Sequence, residues 1–164
     1  MTNASFHIRE ARLPQDIPVM HEFILGLQRF EHALEPNRRL DPSVAEDYFA
    51  TLEKKVQETS GTFLIAEDEQ GVPAGWAAAH EDEAEIFIVP EQRRTAYIAE
   101  LYVVPDARRL GVGSSLIAAC EAWARARGLG IIIIGVLSKN TGAFVAYERT
   151  GYEPYAMFLR KYLP

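Results

Sequence analysis

The chain has 164 residues, 48% of them apolar, with 17 Lys and Arg against 23 Asp and Glu for a formal net charge of -6. That length sustains one sizeable core and leaves little room for two, so one domain over residues 1–164 is expected, and the acidic balance is the wrong sign for nucleic acid or an anionic membrane surface. The single Cys120 excludes an internal disulfide, no apolar run is long enough to span a bilayer, and MTNASFHIRE lacks the apolar core of a secretory signal, so a cytoplasmic protein is expected.

Phe6 to Arg9 alternates apolar and polar residues as a short strand does, and Pro14 with Asp16 offers a turn and a helix N-cap. Ile17, Met20, Ile24, Leu27 and Phe30 then recur at helical spacing. After the polar loop Glu35 to Leu40, Asp41 reads as an N-cap and Pro42 as the opening of a second helix to Glu58, striped by Val44, Tyr48, Leu52 and Val56. TFLIAED and PAGWAAAHE, separated by a turn at Glu69 to Gly71, read as an antiparallel hairpin. EDEAE, IFIV and PEQRR lead into a strong strand, Thr95 to Val104, ended by Pro105.

A helix from 113 to 127 follows, with Leu116, Ile117, Cys120, Trp123 and Ala124 on its apolar stripe and Gly128 as C-cap. Ile131 to Leu137 is too short and too β-branched for a helix; its lack of alternation predicts a strand covered on both faces. Asn140 to Arg149 suits a short helix closed by Gly151, and a last strand is expected within Tyr155 to Leu163. The order predicts an α/β fold with a mixed, mostly antiparallel sheet flanked by helices, in which strand 95–104, the glycine turn, helix 113–127 and strand 131–137 form a βαβ crossover.

The turn RRLGVGSS, Arg108 to Ser115, stands at the head of that helix. A helix N-terminus offers unpaired N–H groups to an anion, and Gly111 and Gly113 let backbone approach a ligand closely. The phosphate loop of nucleoside triphosphatases needs Gly-Lys-Ser/Thr, which is absent. The dinucleotide fingerprint needs a small residue where Leu116 stands and an acid after the next strand, where the chain reads IIIIGVL.

What remains is Arg-x-x-Gly-x-Gly after a strand ending ELYVVP, together with a second block, Asn140, Ala143, Tyr147, Glu148, Gly151 and Tyr152, spaced N-x-x-A-x-x-x-Y-E-x-x-G-Y. In these two blocks, their separation and the opening IREARLPQDI, the sequence resembles the GNAT superfamily of acyl-CoA-dependent N-acetyltransferases, and the resemblance covers nearly the whole chain. It implies acetyl-CoA as cosubstrate, with the N–H groups of Arg109, Leu110, Gly111, Val112, Gly113 and Ser114 holding the pyrophosphate. Arg108 takes the Arg/Gln position at the head of the motif. The strand edge at Leu101, Tyr102 and Val103 would pair with the pantetheine arm as an added strand does, and Asn140 would bind the same arm.

Transfer to an amine needs a neutral nucleophile, and an alkylamine is only about one part in a thousand neutral at pH 7. Glu100, next to where the resemblance puts the thioester, is the candidate to bind the ammonium and relay its proton. Tyr147 matches the family tyrosine that protonates the departing thiolate and would also touch the cofactor. The oxyanion is expected to meet a strand N–H near Val103, at a local irregularity. Gly135 stands where relatives acting on protein N-termini of ribosomal type commonly carry glutamate. The acid at Glu100 resembles relatives acting on polyamines and aminoglycosides.

A small-molecule primary amine is therefore the expected acceptor, by direct attack and without a metal. The alternatives are a protein lysine or N-terminal acetyltransferase and, in another class, an acyl-CoA sensor without turnover. His7, His21, His32 and His80 show no metal-ligand spacing, and His80 alone is kept as a proton shuttle. Cys120, Trp76 and Trp123 read as packing. Glu81, Asp82, Glu83 and Glu85 form either a solvated turn or a lure for a cation. The loops Glu35–Leu40 and Pro90–Arg94 stand where relatives gate the acceptor. The family habit of pairing through C-terminal strands implies a homodimer through AMFLRKYL, unless that segment is an internal strand.

Overall fold

A computed structural model describes residues 5–164. Met1 to Ala4, part of the segment read above for a targeting signal, lie outside the described residues. Five strands form one sheet in the order β1-β2-β3-β4-β5: β1 (His7–Glu10), β2 (Thr62–Glu67), β3 (Pro73–Glu83), β4 (Arg94–Val103) and β5 (Ile132–Ile134). The first three junctions are antiparallel and the β4–β5 junction is parallel, as a βαβ crossover requires. Helices α1 (Ile17–Leu34) and α2 (Ser43–Glu58) cover one face; α3 (Val112–Ala126) covers the other, and α4 (Thr141–Arg149) follows β5.

The two faces explain the two cores. Met20, Ile24, Phe49 and Leu52 from α1 and α2 pack on Phe63, Ile65, Trp76 and Ala78. Leu116 and Cys120 of α3 pack on Leu64, Ala66, Ala77, Ala79 and Ile98. Alternation along β2 and β3 sends odd and even residues to opposite faces, which is why Phe63–Ala66 and Ala74–Ala79 are apolar without a break. Their run of alanines in β3 leaves room for helices on both sides.

Both helix starts depart from the expected caps. Asp16 makes no side-chain cap to α1; its carboxylate takes a bidentate pair from Arg9 (2.6 and 3.1 Å) and the Arg12 N–H (2.6 Å). Arg9 also reaches Glu67 at 2.5 Å, so the cluster fastens β1, β2 and the head of α1. Asp41 likewise does not cap α2, which begins behind Pro42; it pairs with Arg39 and accepts from the Ser43 hydroxyl. In both places a nearby guanidinium is the stronger partner for the carboxylate than a neutral backbone N–H.

Two expectations for the C-terminal third fail. β5 is only Ile132–Ile134, and its isoleucines are half-buried at the sheet edge rather than covered on both faces. No strand forms within Tyr155–Leu163, where the chain is extended and exposed. Among the described residues no strand pairs with the outer edge of β5; Ile132 and Ile134 pack on the α3-side core, whereas Tyr155–Leu163 stays exposed.

Candidate active site

β5 pairs with β4 only at Ala96–Ile98, so the two strands part beyond Ile98 and the backbone of β4 from Ala99 to Val103 has a free edge. α1 crosses over the opening, and a cleft of roughly 1040 Å³ runs along the split, with Glu100 to Val103 on its floor and Ile134 to Leu137 on its far wall. At one end lies the glycine turn; at the other lie Glu31, Arg38, Tyr48 and Tyr97.

The turn is built from left-handed backbone. Arg109 (φ 64°) and Gly111 (φ 87°) both have positive φ, and Gly111 leads directly into α3. The N–H groups of Arg109 through Ser114 have no hydrogen-bond partner among the described residues; the first intrahelical bond is Ser115 N–H to Gly111 O at 3.0 Å. A concave row of unpaired donors at the positive end of α3 matches a diphosphate. Arg109, Gly111, Gly113 and Ser114 line the cleft, whereas the Leu110 side chain is exposed and that of Val112 is buried under α3. Those two side chains do not line the cleft. A Cβ at Gly113 would stand 3.8 Å from Val103, in ordinary contact, so this glycine is not required by the protein's own packing.

Arg108 does not reach into the turn as a free cation. Its Nε donates to Val103 O at 3.0 Å, and its guanidinium lies 5.1 Å over Phe30 and 5.7 Å over Tyr102, wedging α1 against β4. Gly26 allows that close approach: a Cβ there would be 2.5 Å from the Tyr102 hydroxyl. Asn140 accepts from Ala143 N–H at 3.2 Å and so caps α4, leaving its NH2 as the free donor at the cleft.

The sheet irregularity expected near Val103 sits earlier. Ala78 pairs with Glu100 but Ala79 pairs with Ile98, so Ala99 is a bulged residue. Ile98 and Leu101 pack on the α3 side, while Ala99 and Tyr102 pack on the α1–α2 side. The bulge therefore breaks alternation beside Glu100, the one acid on the cleft floor.

Glu100 is buried, 9% exposed. Burial pushes its pKa up to about 8; the facing Tyr48 hydroxyl opposes the rise, and the charge of Glu31 adds to it. Tyr147, half-buried on α4 and also lining the cleft, is pushed up to about 12 by burial, then by the charges of Glu31 and Glu100. Tyr48 is raised for the same reasons, burial first and Glu100 second. Glu31 is held by Arg38 at 2.6 Å. The cleft thus joins a proton-holding carboxyl to a protonated phenol.

Three of these groups escaped sequence reading. Tyr48 sat on a helical stripe and looked like core; Glu31 belongs to no motif, and Arg38 lies within the loop Glu35–Leu40, which was read as a gate without any residue being singled out. His80, kept as a shuttle, does not line the cleft; it is buried, its Nδ1 lies 3.0 Å from Glu81 O, and its ring lies beside Tyr97. Cys120 is buried under α3, its thiol pushed up to about 12 by burial, and takes no place in the cleft. Of the acidic cluster, Glu81 is paired with Arg94 at 2.6 Å and Asp82 with Lys55 at 3.3 Å. No group of three or more metal-ligating side chains is found among the described residues.

The sequence model of the acetyltransferase (GNAT) family matches residues 27–152, a span that contains the turn, the split strand edge and α4. The chain belongs to the GNAT acetyltransferase family. No curated protein matches it. Its fold is similar to that of a GCN5-related N-acetyltransferase from Ralstonia eutropha, with 21% identity and TM-score 0.73 over 96% of this chain and 99% of that one. A predicted acetyltransferase from Clostridium acetobutylicum, solved with acetyl-CoA, aligns at 20% identity and TM-score 0.71 over 96% of each chain. The aminoglycoside N-acetyltransferase AAC(6')-Iy, bound to a bisubstrate analogue of CoA and acetylneamine, aligns at 22% identity and TM-score 0.65 over 97% and 99%. The GNAT family uses acetyl-CoA, and the unpaired N–H row, the free strand edge and the cleft volume fit that group.

Proposed function

We propose that this acetyltransferase moves an acetyl group from acetyl-CoA to the primary amine of a small molecule by direct attack, the whole chain acting as one domain. The observation that carries the reading is the shared cleft: a turn of unpaired N–H groups, the buried Glu100 carboxyl with the Tyr48 hydroxyl beside it, and the Tyr147 phenol all line it. Bound acetyl-CoA supplies an activated thioester. The N–H groups of Arg109 through Ser114 hold its diphosphate, the free edge at Leu101 to Val103 aligns its arm, and the Asn140 NH2 donates to it.

Glu100, Tyr48 and Tyr97 receive the acceptor. An incoming ammonium favours ionisation of Glu100, because a cation beside a buried carboxylate offsets its desolvation. Glu100 then takes the amine proton through water, and the Tyr147 hydroxyl supplies the proton needed at sulfur. Against a protein substrate stands Gly135, where N-terminal acetyltransferases commonly carry a glutamate: a Cβ there would lie 3.1 Å from the Tyr97 hydroxyl, so a side chain at this position would have to displace Tyr97 by a few tenths of an ångström. A small-molecule amine is also the acceptor mimicked in AAC(6')-Iy. We read the protein as a cytoplasmic homodimer.

The test is thiol release from acetyl-CoA over polyamines, aminoglycosides, amino acids and lysine peptides, with Tyr147→Phe alongside. Turnover with a small amine, lost about 10²- to 10⁴-fold in the variant while acetyl-CoA affinity is kept, is the expected result. Binding without turnover on any amine would favour a sensor.

A further inference from the structure

The ion pair between Glu31 and Arg38 is made by a single bond. Arg38 Nε donates to Glu31 Oε2 at 2.6 Å, where a guanidinium and a carboxylate commonly form two parallel bonds. Nη1 of the same guanidinium is taken by Asn37 Oδ1 at 2.8 Å, and Nη2 has no hydrogen bond among the described residues. Glu31 Oε1 has none either, and neither atom is sealed from solvent. Both side chains line the cleft that also holds Tyr48, Tyr97 and Glu100. One wall of the cleft thus carries a carboxylate oxygen and a guanidinium N–H side by side, each still able to take a partner.

Arg38 is also fixed by its backbone. Its carbonyl oxygen lies 2.8 Å from His32 Nδ1, and its N–H donates to Glu35 O at 3.3 Å. A donor held in this way loses little freedom when a ligand meets it. The other cations that line the cleft are placed elsewhere: Arg108 donates to Val103 O, Arg109 belongs to the glycine turn, and Arg149 ends α4.

We infer that the acceptor is an α,ω-diamino acid whose ω-amine meets Glu100, whose α-carboxylate accepts from Arg38 Nη2 and whose α-ammonium donates to Glu31 Oε1. The inference rests on the small-amine reading above and names the substrate class within it. A zwitterionic head group complements the pair because it sets an anion against the guanidinium and, on the neighbouring group, a cation against the carboxylate. A plain diamine or an ω-amino acid would meet only half of it. The acceptor as a whole carries one net positive charge at neutral pH, in keeping with a chain of net charge -6. In the transfer the ω-nitrogen bonds the acetyl carbon as the C–S bond breaks. Of the two protons the ω-ammonium loses, one reaches solvent through Glu100 and the other makes good the proton that Tyr147 gives to sulfur. The products are the ω-N-acetyl diamino acid and the free thiol of CoA.

The test compares 2,4-diaminobutyrate, ornithine and lysine with the diamine and the ω-amino acid of matching length, and with lysine blocked at both α groups. For the best of the three diamino acids, kcat/KM is expected to exceed that of each matched analogue about tenfold or more. Tandem mass spectrometry should place the acetyl group on the ω-nitrogen. Arg38→Gln, which keeps a polar neighbour for Glu31, should bring the ratio of diamino acid to diamine down to about one, a comparison within one protein that a merely structural role would not move. Calorimetry with CoA in place of acetyl-CoA reads the same contacts without turnover: the diamino acid should bind about tenfold or more weakly to the variant. Turnover of plain diamines or monoamines as fast as diamino acids would keep the small-amine reading and overturn this acceptor. A preference that survives Arg38→Gln, or acetylation at the α-nitrogen, would overturn it too. No turnover with any amine would remove both readings.

Discussion

Glu100 carries the clearest pH dependence at the level of a single residue. A carboxyl in the unfolded chain titrates near its ordinary value of 4.5, whereas burial raises it in the folded protein to about 8. Between those values the folded protein holds a proton that the unfolded chain has released, so the contribution of Glu100 to stability is greatest below about pH 4.5 and falls as pH rises through about 8. Glu100→Gln should flatten this slope: thermal unfolding of the wild type should lose several degrees relative to the variant between pH 5 and pH 8.5. The same substitution should cut turnover about 10²-fold, and the wild-type rate should climb with pH through about 8. A parallel pair of melting curves would show that Glu100 does not titrate in this range. Glu31→Gln should leave the fold intact and lower the pKa of Glu100, since the Glu31 charge raises it; the pH–rate profile would shift to lower pH.

Two elements decide whether the site is assembled. At the head of α3, Gly111 has φ 87°, so Gly111→Ala forces a side chain into left-handed backbone at about 1–2 kcal/mol and tilts the N–H row. Loss of acetyl-CoA affinity in calorimetry, with a small drop in melting temperature, is the expected pair of results; affinity at the wild-type level would remove the turn from the binding site. At the head of α1, Asp16 is buried and its hydrogen bonds from Arg9 hold its carboxyl below its ordinary range. Its stabilisation is present above about pH 4 and lost as pH falls. Asp16→Asn leaves Arg9 short of a countercharge and should cost about 3 kcal/mol in denaturant unfolding, with Glu67 as the remaining partner.

At the scale of the whole molecule, the cleft lies between two walls that touch each other little. α1 forms one and the β5–α4 unit the other, bridged at the mouth where Lys139 pairs with Glu35 at 3.5 Å. A ligand bound to both walls stabilises the folded state by mass action, about 2.7 kcal/mol at a hundred times its dissociation constant. Acetyl-CoA should therefore raise the melting temperature by several degrees, and scanning calorimetry with and without it would reveal a chain that does not bind it if the curves superimpose. Electrostatics at this scale favour a cationic acceptor: with a net charge of -6, KM for a polyamine should rise with salt more steeply than KM for a neutral amine.

The periodicity of Ile17 to Phe30, the hairpin around Gly71 and the two motif blocks were determined locally, because helix stripes, turn glycines and an anion-binding helix start depend on residues close together in the chain. So the family, the cosubstrate and the crossover were legible before any coordinates. Capping was not: Asp16 and Asp41 look like caps in sequence, but arginines supplied by β1 and by the α1–α2 loop took their carboxylates. Nor was the end of the cleft around Glu100, because Glu31, Arg38 and Tyr48 are separated along the chain and line the same cleft as Glu100 only when α1 and α2 lie across β4. The bulge at Ala99 depends on the register between two strands, and the open edge of β5 on which segments reach it. A residue's chemistry is local, but its desolvation, its partners and its strand neighbours are set by what the fold brings beside it.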